Sequence, residues 1–279
     1  MRKKEIKKVV RESYAKIARK QSSCCTPVSS CCGGTRLAED ISTKVGYSEA
    51  ELKAVPEGAD LGLGCGNPVA LASLRAGETV LDLGSGAGFD CFLAANKVGN
   101  GGKVIGVDMT PEMVEKAREN ARKGNYRNVE FRLGEIENLP VADKFVNVVI
   151  SNCVINLSPD KERVFKEAFR TLKPGGRLMV SDIVLLKEHP DFIKNSIEAY
   201  IGCISGAVMK TEYIETIKAA GFQDVRIIDE TSFPIECMAN DPTAKAIVEL
   251  LKIPPEKVRE FASSVVSVTV HGVKPNESA

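Results

Sequence analysis

The run Val80-Leu81-Asp82-Leu83-Gly84-Ser85-Gly86-Ala87-Gly88, an apolar strand passing into a glycine-rich turn, restricts the possible folds more than any other feature of this chain. Only a backbone without side chains can turn so sharply and still let a ligand lie against it. A helix follows from about Asp90, and a second apolar run, Val104-Ile105-Gly106-Val107-Asp108, ends on a carboxylate. Together these describe a βαβ unit with parallel strands, with Asp108 placed to accept both ribose hydroxyls of an adenosine-bearing ligand.

The alternation continues downstream. Thr110 caps a helix with Pro111 and Glu112 in its first turn, and residues 129–133 and 146–150 read as strands. A helix from Pro159 to Leu172 is predicted to stop at Lys173-Pro174-Gly175-Gly176, and Leu178-Met179-Val180 to form a fifth strand. Beyond Asp182 the sequence predicts helices from about residue 190 to 220 and over 243–262. Strands are predicted around 225–228 and over 265–273, and these two late strands can pair antiparallel at the sheet edge. The expected fold class is α/β: a Rossmann-like, seven-stranded, mostly parallel sheet with an antiparallel edge strand, plus an N-terminal helix and a Cys-rich loop. The expected domains are 1–58, the helix and Cys-rich segment; 59–186, the ligand-binding core; and 187–279, substrate-facing helices and the antiparallel strands.

Charge excludes some function classes. With 38 basic against 37 acidic residues there is no global field to recruit nucleic acid, and the absence of tryptophan removes stacking platforms for single strands. No apolar stretch approaches the roughly 18 residues of a spanning helix, and the basic start lacks the apolar core of a signal peptide, so no membrane partner and a cytoplasmic location are expected. Ile6, Val9, Val10, Tyr14 and Ile17 recur at helical spacing among lysines and arginines. The apolar stripe of such a helix suits the protein's own surface, while its basic face suits water or an anionic membrane.

Nine cysteines, an odd number in a chain too long to need disulfide staples, point to a reducing compartment and reactive or ligating thiols. Cys24, Cys25, Cys31 and Cys32 lie in a Ser/Gly/Pro-rich loop and lack the Cys-x-x-Cys spacing of zinc ligands. Cys65 lies in Gly-Cys-Gly before the first strand, Cys153 in Ser-Asn-Cys-Val-Ile-Asn-Leu after the fourth, and Cys203 in Gly-Cys-Ile-Ser-Gly-Ala. Isolated cysteines are often small buried hydrophobes, but these three are flanked by glycine or polar residues. Cys91, under the glycine turn, reads as structural.

The spacing Gly-x-Gly-x-Gly, preceded by Asp82, departs from the dinucleotide fingerprint of a nicotinamide dehydrogenase and suits an amino-acid ammonium. Over residues 79–186, with Pro174-Gly175-Gly176 as a late landmark, the chain resembles class I S-adenosylmethionine methyltransferases. That resemblance implies a cofactor set of Asp82, Gly84, Ser85, Gly86 and Gly88 at the glycine turn and Asp108 at the ribose. It adds Met109, Glu135 and Ile136 at the adenine, with Asn152 nearby. The three cysteine segments, with Phe89-Asp90-Cys91, resemble the arsenite methyltransferase family from about residue 40 to 220. The chain departs from that family at Leu63, where tyrosine is frequent, and in lacking the extra C-terminal domain of longer animal members.

The resemblance implies methylation of trivalent arsenic bound by Cys65, Cys153 and Cys203, with a thioredoxin- or glutathione-type thiol reductant as co-substrate and Cys24, Cys25, Cys31 and Cys32 as auxiliary thiols. Soft thiolates favour such a centre, whose lone pair points away from the three sulfurs and can attack a methyl group without a base. Methylated arsenic has room for only two thiolates. Cys65, on a glycine-flanked loop expected to swing at little cost, is the predicted ligand to leave. Two alternatives remain: a carbon or oxygen methyltransferase for a quinone-like acceptor, which would need an acid/base group such as His189 or His271, and a non-catalytic protein that sequesters thiophilic metal.

Overall fold

A computed structural model describes residues 3–20, 33–188, 206–232 and 263–276. Its helices and strands alternate through the central part of the chain: β1 (Thr79–Leu83), α5 (Phe89–Val98), β2 (Lys103–Asp108), α6 (Pro111–Lys123), β3 (Val129–Leu133), β4 (Val146–Asn152), α7 (Lys161–Thr171) and β5 (Leu172–Leu185). Before them come α1 (Lys3–Lys20), α2 (Gly33–Lys44), α3 (Glu49–Lys53) and α4 (Pro68–Leu71). After them come α8 (Lys210–Ala219), β6 (Gln223–Ser232) and β7 (Val265–Val273).

The seven strands form one sheet in the order β3-β2-β1-β4-β5-β7-β6. Strands β1 to β5 pair in parallel, and β7 runs antiparallel to both β5 and β6. The antiparallel character expected at this edge therefore resides in β7, which inserts between β5 and β6. Helices cover both faces, so β1 is apolar and buried over nearly its whole length rather than alternating. Leu81, Leu83, Ile105 and Val149 pack against α7 and α8 in one apolar cluster, and Val80, Val104, Val148 and Phe92 in another. The edge strand β6 is largely exposed and carries Asp224, Arg226, Asp229 and Glu230, charges that discourage pairing with another sheet.

Differences from the sequence expectation have local causes. The helix ends at Thr171, just before Lys173-Pro174-Gly175-Gly176 as expected, but that segment already belongs to β5, which begins before the expected Leu178 and is held by pairing on both sides. Gly33 and Gly34, read as loop, open α2, where a first turn has few intrahelical bonds for glycine to weaken. Cys24, Cys25, Cys31, Cys32, His189, Cys203 and the predicted helix over 243–262 lie outside the described residues. Helix α1 lies on the protein with Val10, Ala15 and Ala18 buried, and Arg19 pairs with Glu112 of α6. Among the described residues, no helix is long and apolar enough to cross a membrane.

Candidate functional site

β1 pairs with β2 on one side and β4 on the other, so the chain reverses direction across the sheet between β1 and β4. Open α/β sheets bind ligands at the carboxyl ends of the strands at such a point. A cleft of about 1050 Å³, partly open to solvent, lies there. Asp82, Gly84, Ser85 and Gly86 form one wall, Asp108, Met109 and Ile136 a second, and Asn152 and Cys153 a third. Gly86 has φ of 51°, and a Cβ built there would meet nothing within 4 Å, so the turn presents bare backbone to open space. Gly88 and Glu135 stand outside this lining. Gly88 begins α5, and the Glu135 carboxylate accepts from Lys7 at 2.7 Å and Arg11 at 3.4 Å.

Besides Asp60 and the Lys7-paired Glu137, three carboxylates face the cleft: Asp82 and Asp90, which are buried, and Asp108, which is half-buried. Burial pushes all three up, Asp90 to about 6 and Asp82 well above the ordinary range with the help of repulsion from Asp90. Asp82 accepts from the Cys91 thiol at 3.2 Å, which makes Cys91 part of the wall's support. The Asp108 carboxylate accepts from the Gly86 N–H at 3.0 Å and the Thr110 N–H at 2.8 Å, so the glycine turn is tied to the end of β2. Asp90 accepts from Tyr47 at 2.6 Å and Asn152 at 3.1 Å. Among the described residues, none of the three forms an ion pair, and the Ser85 hydroxyl, buried at the cleft, has no partner. A cationic, hydrogen-bonding ligand fits such a wall.

Beside the cleft, the structure brings Cys65 and Cys153 together. Their sulfurs and an Asp182 carboxylate oxygen all lie within 4.8 Å of one another, and all three residues are buried. Cys153 follows β4 with φ of 56°, a left-handed conformation uncommon for a residue with a side chain. Its N–H donates to the Ser181 carbonyl at 2.8 Å, which keeps the thiol next to the sheet end. Burial pushes the Asp182 carboxyl up to about 7, and Tyr213, Asn156 and the Ile183 N–H donate to it.

The Cys65 loop differs from expectation. Instead of hanging free, Cys65 is 2% exposed and its peptide is hydrogen-bonded on both sides.

Sequence reasoning missed several residues here. Asp182 could have been found from its place at the carboxyl end of the fifth strand, where site residues gather. Tyr47 on the α2–α3 link and Lys7, Val10 and Tyr14 of α1 reach the cleft only through tertiary packing. Among the described residues no histidine lines the cleft, and His271 lies on β7 beside Asp224.

The glycine turn, the acidic end of β2 and the cleft at the β1/β4 switch are those of the class I methyltransferase fold, and residues 74–221 match the family model for the methyltransferase domain. The fold of an arsenic(III) S-adenosylmethionine methyltransferase from Chlamydomonas reinhardtii superposes with a TM-score of 0.63 at 32% identity, covering 86% of this chain and 75% of that one. The chain belongs to the arsenite methyltransferase family. The arsenite methyltransferase of Halobacterium salinarum is 52% identical over 80% of this chain and 59% of its own length. That of Aquipseudomonas alcaligenes is 37% identical over 81% and 64%. The chain thus spans about three fifths of the length of these curated relatives.

Proposed function

We propose that this protein methylates trivalent arsenic held by the thiolates of Cys65, Cys153 and Cys203, using S-adenosylmethionine and a thiol reductant of thioredoxin or glutathione type. The observation that carries the reading is the buried Cys65–Cys153 pair, with sulfurs within 4.8 Å, opening through Cys153 onto a cleft walled by Asp82, Asp90 and Asp108. Relatives named arsenite methyltransferase support it.

When bound, S-adenosylmethionine supplies an electrophilic methyl group on a sulfonium centre. Asp82 and the backbone of Gly84, Ser85 and Gly86 would hold its amino-acid end, Asp108 the ribose, and Met109 and Ile136 the adenine. The thiolates hold arsenic with its lone pair directed away from sulfur, so no acceptor proton has to be removed and catalysis is largely positioning. As the arsenic lone pair forms the As–C bond, the methyl–sulfonium bond would break and its electron pair would leave with S-adenosylhomocysteine; arsenic would be formally oxidised by two electrons, which the thiol reductant would return. Mass spectrometry of products formed from arsenite, cofactor and excess thiol tests the reading; methylated arsenicals are expected, and their absence with a folded, cofactor-bound protein would contradict it.

Two predictions concern the cofactor. Asp108→Ala is expected to weaken S-adenosylmethionine binding by roughly 1.5 to 3 kcal/mol, the range for hydrogen bonds to a charged group. Calorimetry giving the wild-type affinity in a folded variant would remove Asp108 from the site. The second concerns pH. Because the buried carboxyls hold protons that the unfolded chain releases, the ligand-free fold loses stability as pH rises through the window from 3.8 to about 6 set by Asp90. A cation favours their ionised forms, so binding expels protons and affinity rises with pH across the same window. Titrations at about pH 5 and 7 are expected to show this rise together with proton release at the lower pH; equal affinity at both would refute it.

A further inference from the structure

Cys65 lies between α3 and α4 on a loop whose glycines allow a close approach to its neighbours. A Cβ at Gly64 would stand 2.6 Å from Asn152 Nδ2, and one at Gly66 would stand 2.8 Å from the side chain of Ser181. Once seated, the loop is held by side chains from two strands. The Cys65 N–H donates to Asn152 Oδ1 at 3.0 Å, Asn152 Nδ2 donates to the Gly66 carbonyl at 2.8 Å, and the Ser267 hydroxyl of β7 donates to the Cys65 carbonyl at 2.6 Å. Ser267 is 202 residues from Cys65 in sequence.

We propose that Ser267 and Asn152 are positioning residues that clamp the Cys65 peptide and so aim its thiol at Cys153. The proposal rests on the reading of Cys65 and Cys153 as arsenic ligands. Fixing the N–H and the carbonyl of a residue fixes its peptide planes and with them the direction of its Cα–Cβ bond, so the clamp determines where the sulfur can lie. Cys153 takes its place from a backbone bond to β5, whereas Cys65 takes its place from these two side chains. Loss of either clamp bond leaves a buried peptide group to find another partner, and the loop shifts as it does so. Asn152 also borders the cofactor cleft, but Ser267 does not, which makes Ser267 the cleaner probe.

The consequence is specific to substrates that use three sulfurs. Arsenite engages Cys65, whereas monomethylarsenite, with two positions for sulfur, can be held without it. Ser267→Ala is therefore expected to lower arsenite affinity by about five- to tenfold while monomethylarsenite turnover and S-adenosylmethionine affinity stay within about twofold. Ser267→Thr, which keeps the hydroxyl, is expected to restore arsenite binding. X-ray absorption at the arsenic edge should show fewer sulfur neighbours in the Ser267→Ala complex than in the wild type. Equal loss on both arsenicals, or wild-type arsenite affinity with an unchanged sulfur count, would overturn the clamp. Cys65→Ser in the same assay separates the two ideas: if it binds arsenite as the wild type does, the thiolate reading itself fails, whatever Ser267→Ala does.

Discussion

Replacing Cys153 by serine is expected to lower methylation of both arsenite and monomethylarsenite by about a hundredfold or more, the scale on which a misplaced reacting atom costs rate. Cys153 stands where β4 leaves the sheet, lines the cleft, and is held at a positive φ by a bond to Ser181. A residue kept in that conformation has its side chain aimed by the sheet, and a hydroxyl in place of the sulfur offers arsenic a hard donor that does not hold it against water. Cofactor affinity should be kept, because the proposed cofactor contacts come from the carboxyl ends of β1 and β2 and from Ile136 after β3. Cys65→Ser is expected to lose the arsenite reaction and keep much of the monomethylarsenite reaction. Separation of products from each variant with each trivalent substrate and excess thiol is the assay, and full arsenite turnover by Cys153→Ser would end the thiolate mechanism.

The second large effect is expected at Gly84. It has φ of 70°, and a Cβ there would lie 2.6 Å from the Cβ of Val154 and closer still to one of its methyl carbons. Val154 is the neighbour of Cys153, so the overlap presses the end of β1 directly against the thiol's own segment. Gly84→Ala combines a left-handed backbone with overpacking, for a total of about 2 to 5 kcal/mol. The melting temperature should fall by about 5 to 15 °C. In the fraction that stays folded, arsenite and cofactor binding should both be impaired. An unchanged melting temperature would show that Val154 can retreat and that the contact places no demand on glycine.

Much of this was legible in the sequence because parallel strands and tight turns leave local signatures. Val80 to Gly88 could hardly be anything but a buried strand entering a ligand-facing turn, and Asp108 at the next strand end follows from the βαβ unit. The pairing of Cys65 with Cys153 was not legible from spacing; it came from resemblance, and the structure supplies the geometry. Glu135 illustrates the limit: the resemblance implied a place at the adenine, but α1 carries Lys7 and Arg11 to it, an ion-pair choice made between residues more than a hundred positions apart. Ser267 was invisible for the same reason. A serine in a β-branched run reads as a strand residue, and nothing local indicates that its hydroxyl reaches a loop near the other end of the chain. Flanking glycines signal either mobility or close packing, and the neighbours of Gly64 and Gly66 show close packing around Cys65.

The place of β7 between β5 and β6 also orders events during synthesis. Although β6 precedes β7 in the chain, among the described residues it has no sheet partner other than β7. The growing polypeptide can complete β1 to β5, with the cofactor walls in place, while β6 waits unpaired for the strand that will join it. Ser267 arrives with β7, so a nascent chain carries Cys65 without the hydroxyl that seats it until 202 further residues have been added. Thiol capture of the fully assembled kind then becomes possible only after the sheet closes. A ribosome stalled before residue 265 should present a core that binds cofactor but holds arsenite poorly.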